Sequence, residues 1–322
     1  GEPWVAYRQF CQHFLAPLAL MSKKDIRLNK LLLAYVGGIP LDLTSMLLPR
    51  TTWCKAGLLM HLHIHAMTQK KYSAGMPMKN EKAKKVRHIN KMGYTGIVQS
   101  LRNTVKKLEW QPGGTEWGEY YNDTNYSENA FEKKQAIVRQ FLQQIRPGTV
   151  WDVGGNTGVF SRIASGMGIP TVSYDIDPSA VEINYREARQ QQEDYLLPLC
   201  LDLTNPTPGL GWNSDERDAF LQRGPVDCIM ALALIHHLSI SNNVPFEKSA
   251  AFFYNLCQYL IIEFVPKTDS QVVRLLASRV DIFHDYDRLI FETVFSRFFK
   301  IIDAKAIPHS ERTLYLMQKY GT

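Results

Sequence analysis

The sequence predicts an α/β protein: a doubly wound, mostly parallel seven-stranded sheet with an antiparallel last strand, preceded by a helical N-terminal region. Three observations predict it. From residue 131 onward, short β-branched or apolar runs alternate with segments of helical spacing, the pattern of a parallel sheet covered on both faces. The last two strand-like runs, Phe299 to Ile307 and Thr313 to Gln318, are joined only by Pro308-His309-Ser310-Glu311-Arg312, a link too short for anything but an antiparallel pair. Before residue 110 the apolar residues recur at helical spacing, and the charge there has the opposite sign to that of the remainder.

The first region, 1–110, carries a net charge of +13 and the second, 111–322, carries −7, within a total of +6 over 322 residues. That division sets the expected domains, a basic helical region that helps select a substrate and an α/β region that does the chemistry. Tyr7, Phe10, Phe14 and Leu18 mark a first helix, and Ile26 to Val36 is a second apolar segment closed by Gly37-Gly38. Pro40 to Pro49 is a short helix or connector, and Trp53 to Gln69 is a longer helical segment containing His61, His63 and His65. No HExxH or comparable spacing accompanies these histidines, so they are read as partly buried or surface side chains, and no metal is expected. The densest basic stretch, Lys79 to Lys91, with Arg102, Lys106 and Lys107 after it, is either a solvated face or a surface for an anionic partner. It lacks the interleaved aromatics that stack bases, so nucleic acid is a possible partner but not the favoured one.

Apolar residues make up 45% and charged residues 21%, a globular composition, and no run reaches the roughly 18 apolar residues of a membrane-spanning helix. Five scattered cysteines without a CxxC pair argue against a disulfide framework, so a reducing, cytoplasmic setting is expected. The chain starts Gly1-Glu2-Pro3 without an initiator Met or signal-peptide pattern and is read as a fragment of something longer.

In the second region a helix from about Phe131 to Ile145, with Ile137, Phe141 and Ile145 stacked, ends at Arg146-Pro147-Gly148. Strand one follows at Val150 to Val153, then a glycine-rich turn, a helix through about Ser165, and strand two at Thr171 to Asp175. Asp177-Pro178 opens the next helix, with Asp177 as its cap. Strand three lies near Leu197 to Leu201 and strand four at Val226 to Leu232. A helix with Phe246, Ala250, Phe253 and Cys257 on one face leads to strand five, Tyr259 to Val265, and Thr268-x-x-Gln271 is a capping-box start to another helix.

The segment that carries the chemistry is VWDVGGNTGVFSRIA. It places Asp152, Gly154, Gly155, Asn156 and Gly158 between a strand and a helix, where glycines let a ligand approach the backbone and a helix N-terminus offers N–H groups. From Gly154 it reads G-G-N-T-G-V, which fails the G-x-G-x-x-G dinucleotide fingerprint, and Gly158 is followed by Val159 and Phe160 rather than the Lys-Ser/Thr of a phosphate-binding loop.

The D-x-G-x-x-x-G spacing resembles the first motif of class I S-adenosylmethionine-dependent methyltransferases, including bacterial small-molecule and nodulation-type ones, and the other landmarks of that family occur in order over about residues 115 to 320. The resemblance implies that S-adenosylmethionine is the cofactor, that Asp152 lies beneath its methionine end, and that Asp175 in TVSYDID takes both ribose hydroxyls with Ile176 beside the adenine. Asp202 and Leu203 in CLDL match the pair that contacts adenine, and Ala231 in ALALIHHL falls where the family places residues near the transferred methyl group. The aromatic stretch before the first strand often folds over the cofactor in this family, which makes Tyr120, Tyr121 and Tyr126 lid candidates. Read on their own, Asp175 and Asp177 are also good strand-ending and helix-capping residues, Asp202 is a turn residue, and the tyrosines pack as an entry segment.

Methyl transfer by direct displacement needs alignment of donor and nucleophile and a proton acceptor. His236 and His237, just past strand four, are the base candidates because histidine titrates near neutrality, and Glu263 in IIEFV is a second, since a carboxylate inside an apolar strand needs a partner or a function. The Asn/Asp-Pro-Pro-aromatic run of nucleobase N-methyltransferases is absent after strand four. The resemblance therefore implies methylation of an O, N or C atom of a small molecule, sugar or natural product. An RNA or protein methyltransferase that uses the basic region, and a non-catalytic cofactor-binding scaffold, are the alternatives. The sequence does not set the oligomeric state.

Overall fold

The computed structural model describes residues 4–73, 89–112, 128–277 and 279–321. Two compact units divide the chain, Gly1–Gln111 with Leu210–Asn213, and Pro112–Gly209 with Ser214–Thr322.

The first unit is helical. Residues 7–23 form one continuous helix (α1) with a π-helical stretch at Cys11–Leu15. Short helical turns at 26–34 are followed by Leu41–Leu47 (α2), by residues 56–73 (α3, π-helical at Leu59–Ile64) and by Lys91–Val105 (α4). Cys11, Leu15, Leu20, Ile39, Leu41 and Leu62 are fully buried at its centre. Two of the three histidines are buried and held by hydrogen bonds. Tyr7 Oη lies 2.6 Å from His61 Nδ1 and Ser100 Oγ 2.9 Å from His61 Nε2, while Ser45 and Thr52 hydroxyls lie 2.7 and 2.9 Å from the two nitrogens of His63. His65 stacks on Tyr7 with ring centroids 5.1 Å apart. The positions 79–88 of the basic stretch lie outside the described residues.

The second unit is a seven-stranded sheet in the order β3-β2-β1-β4-β5-β7-β6. The strands are Val150–Val153 (β1), Thr171–Asp175 (β2), Leu196–Cys200 (β3), Val226–Ala231 (β4), Cys257–Phe264 (β5), Phe299–Ala306 (β6) and Thr313–Lys319 (β7). β1 to β5 pair in parallel, and β7 runs antiparallel to both neighbours, the arrangement its short link to β6 demands. Helices Glu128–Ile145 (α5), Ser161–Ser165 (α6), Pro178–Gln191 (α7), Phe246–Leu256 (α8), Ser270–Leu276 (α9) and Arg288–Phe295 (α10) surround it.

Strand alternation divides the core into two layers. On one face Ile229, Leu260, Ile262, Tyr315 and Met317 pack with Phe253 of α8 and Phe291 and Phe295 of α10. On the other, Cys228, Met230, Ile261, Leu314 and Leu316 pack with Val138, Phe141 and Leu142 of α5. The buried stripe of α5 runs through Ala130, Lys134, Val138 and Phe141, whereas Ile137 and Ile145 are only partly buried.

Two sequence expectations shift, and one helix is added. The cap of α9 is Asp269 rather than Thr268, because Asp269 Oδ1 accepts from the Gln271 N–H at 2.9 Å while the Thr268 hydroxyl donates to Glu311. Cys257 opens β5 instead of ending α8, its backbone already extended at φ −141° and ψ 158°. Asp287 caps α10 by accepting from the N–H groups of Leu289 and Ile290, an element the spacing alone did not mark.

Candidate functional site

The sheet order reverses between β1 and β4, so the loops after these two strands splay apart at their carboxyl ends, where open α/β sheets bind ligands. The loop after β1 is fixed from beneath by strand two. The N–H groups of Gly154 and Gly155 both donate to the carbonyl of Tyr174, at 2.8 and 2.9 Å. Gly158 adopts φ +84°, and a Cβ there would lie 2.4 Å from Asn184 Oδ1; a Cβ on Gly155 would lie 2.4 Å from Ser173 Oγ. No side chain larger than hydrogen fits either place, which leaves the turn as bare backbone. Asn156, at φ +49°, donates its N–H to Asp175 Oδ2 at 2.8 Å, and Asp177 donates its N–H to Asp175 Oδ1 at 2.9 Å. The Asp175 carboxylate thus ties the glycine turn to the start of α7, whose cap is Asp177 as the sequence indicates. The Ile176 N–H also faces this carboxylate. Burial is the main influence on this carboxyl and raises its pKa.

Asp152 lies under the turn, 1% exposed. Ser161 donates to Asp152 Oδ2 at 2.5 Å, and Ser161 Oγ is 2.9 Å from Ser173 Oγ, which receives the Asn184 Nδ2 proton at 3.1 Å. Because Ser161 commits its one proton to Asp152, Ser173 donates to Ser161, and the chain Asn184 to Ser173 to Ser161 ends on the carboxylate. Burial pushes the Asp152 carboxyl up to about 6.

The facing loop follows β4. Ala231, its last residue, is fully buried, Ala233 turns at φ +48°, and a π-helical segment covers His237–Ser241. Leu234 touches the glycine turn, 3.3 Å from where a Gly154 Cβ would stand. His236 is 1% exposed, and neither ring nitrogen has a hydrogen-bond partner among the described residues. Its ring centroid is 4.1 Å from that of His237. Burial, followed by the positive charge of Arg312, lowers His237 to about 4; burial, with His237, Arg312 and Lys134, holds His236 well below its ordinary value. Both imidazoles are therefore neutral at physiological pH.

Those two cations belong to a buried charge cluster. Lys134 of α5 reaches Glu263 of β5 at 2.6 Å, Arg312 approaches the other Glu263 oxygen at 3.6 Å, and Arg312 also grips Asp269 in a two-pronged pair at 2.7 and 3.0 Å. Glu263 is completely buried, and the partner that a carboxylate in an apolar strand requires is Lys134. Lys134, Arg312 and Asp269 escape sequence inspection because they meet only through the fold. Lys134 does leave a signal, a lysine four residues from both Ala130 and Val138 in an apolar helical stripe.

The remaining candidates spread along the sheet edge. Ile176 stands 58% exposed beyond β2. Asp202 accepts from the N–H and hydroxyl of Thr204 at 2.9 and 2.6 Å, an Asx turn that uses one oxygen, and Leu203 packs on the core. Tyr126, like Tyr120 and Tyr121, lies outside the described residues. Beyond the β4 loop, Ser239, Val244, Phe246, Phe283, Tyr286 and Ile290 line a mostly apolar cavity of about 440 Å³. Among the described residues no helix is long and apolar enough to cross a membrane, and no group of His, Cys, Asp or Glu is arranged to hold a metal ion.

No family model matches the chain. It is 32% identical over 321 residues to the nodulation protein NoeA of Rhizobium meliloti (strain 1021), a match that takes in 99% of this chain and 67% of that protein. Among solved structures it is similar to WbdD, with 16% identity and a TM-score of 0.40 over 65% of this chain and 43% of that one. It is also similar to magnesium protoporphyrin IX methyltransferase (ChlM) from Synechocystis PCC 6803 with bound SAH, with 17% identity and a TM-score of 0.43 over 63% of this chain and 93% of that one.

Proposed function

The chain belongs to the family of the nodulation protein NoeA, and from that premise we propose that residues 111–322 form an S-adenosylmethionine-binding domain that methylates an O, N or C atom of a small molecule, sugar or natural product. The observation that carries the reading is the bare glycine turn at the switch point, clasped to the Asp175 carboxylate by the Asn156 N–H.

The residues suit that cofactor. Asp175 is a carboxylate with acceptor capacity for two vicinal hydroxyls, and exposed Ile176 offers an apolar edge beside it. Residues 152–158 contain no lysine or arginine to meet a phosphate chain, while Asp152 lies beneath them. A cationic ligand fits such a floor and a polyphosphate does not. When bound, S-adenosylmethionine supplies a methyl group on a sulfonium, ready for direct displacement.

The rest of the work falls to the chain. The turn from Gly154 to Gly158 aligns the donor without side chains of its own. One of the two neutral imidazoles, His236 or His237, receives a hydrogen bond from an acceptor hydroxyl or amine and takes its proton as the new bond forms. Glu263 is a positioning residue in this reading: paired with Lys134 and Arg312, it holds in place two cations whose charge adds to burial in keeping His236 unprotonated. The apolar cavity beyond His237 suits an acceptor with a hydrophobic portion.

Calorimetric titration of S-adenosylmethionine and S-adenosylhomocysteine into the wild type and Asp175→Ala, with NAD as control, tests the proposal. Micromolar binding by the wild type that Asp175→Ala loses is the expected result. Absence of binding, or binding of NAD instead, would overturn it.

A further inference from the structure

The helical unit contains its own cavity, of about 730 Å³, lined by the end of α1, the start of α3 and one face of α4. Among the described residues that line it, three are lysines, Lys23, Lys55 and Lys107, and none is Asp or Glu. Lys23 donates to the Lys107 carbonyl at 3.3 Å, which brings its ammonium to the α4 wall. Burial and then the charge of Lys55 hold Lys23 below its ordinary pKa, with the Glu109 carboxylate only partly offsetting them. Cations crowded in a concavity without an acidic partner in its wall make a favourable site for an anion.

The other lining groups narrow the class. Gln99 Nε2 donates to Asn103 Oδ1 at 3.0 Å, leaving the Gln99 carbonyl and the Asn103 amino group for a ligand. The first turn of α3 adds the N–H groups of Ala56, Gly57 and Leu58, which have no acceptor within the helix. No aromatic residue is among the described residues that line the cavity, and these offer no platform for a nucleobase. We propose that this cavity binds a saccharide bearing a phosphate or sulfate ester, with Lys23, Lys55 and Lys107 on the tetrahedral oxyanion and Gln99 and Asn103 on the sugar hydroxyls. The site lies wholly within residues 1–111 and is independent of the methyltransferase reading.

Calorimetry on the full chain tests it with glucose 6-phosphate, glucose 6-sulfate, unmodified glucose, AMP and a ten-nucleotide single strand as probes. Lys55 and Lys107 are exposed, so Lys55→Gln/Lys107→Gln is expected to keep the wild-type melting temperature. The wild type should bind at least one of the two esters and not glucose; the ester it prefers identifies the oxyanion. The double variant should weaken that binding by about tenfold or more, since charge-assisted hydrogen bonds are lost. Lys30→Gln, which changes an exposed lysine outside the cavity, should leave it unchanged. Failure of both esters to bind, or equal binding by the double variant, would refute the site. Tighter binding of AMP or of the oligonucleotide, lost in the same variant, would overturn the saccharide assignment.

Discussion

Asp152→Asn separates what the buried carboxylate does for stability from what it does for ligand binding. A carboxyl whose pKa is raised from 3.8 to about 6 by burial is harder to ionise in the folded chain than in the unfolded one. Below the unfolded value both states are protonated and the site is neutral to stability; as pH rises through the folded value the buried charge must form, and stability falls. At about 1.36 kcal/mol per pH unit of displacement, the cost above pH 6 is roughly 3 kcal/mol. Asparagine keeps the shape and the oxygen that accepts from Ser161 but carries no charge. Urea unfolding should therefore show the variant more stable than the wild type by about 2 to 3 kcal/mol at pH 8, with the gain shrinking to within about 0.5 kcal/mol at pH 4. The same variant should bind S-adenosylmethionine more weakly, because the negative charge beneath a cationic ligand is gone. A variant less stable than the wild type at pH 8, or a gain of equal size at both pH values, would refute the reasoning.

Two further expectations follow from the buried charges. Lys134→Met removes the cation 2.6 Å from Glu263, which is completely buried and lies 3.6 Å from Arg312. It should cost about 3 to 5 kcal/mol in chemical denaturation, and Lys134→Met/Glu263→Met should recover much of that loss. His237 is depressed from 6.5 to about 4, so the unfolded chain takes up the proton first as pH falls, and the stability that depends on its neutrality is fully present above 6.5 and lost towards 4. The unfolding free energy of His237→Gln should accordingly fall less steeply than that of the wild type between pH 6.5 and 4.

The positions of most strands were legible because strand boundaries are local. β1 and β2 have the predicted bounds, since each is a β-branched or apolar run ended by an acidic residue or a glycine turn, and Asp177-Pro178 marks the start of α7 by cap chemistry alone. Direction was legible at β7 because a short link leaves only one way back. α4 was not, because Gly93 and Gly96 weaken its helical signature, although Asn90 caps it through the Gly93 N–H. At the site, the glycine turn and Asp175 could be read from spacing, but the clasp between Asn156 and Asp175 could not, because it joins two loops across a strand pair. The charge cluster was the least legible: its members lie on α5, on β5 and at the edge of β7, and only the packed fold brings them together. Glu263 announced a need for a partner, while the identity of that partner was a property of tertiary structure.

In this reading the glycine turn and Asp175 hold S-adenosylmethionine, and a crystal structure of the full chain grown with S-adenosylhomocysteine would decide it. Both ribose hydroxyls should lie on the Asp175 carboxylate, with the homocysteine end against the backbone of residues 154–158. Ligand density elsewhere with that turn empty would contradict it.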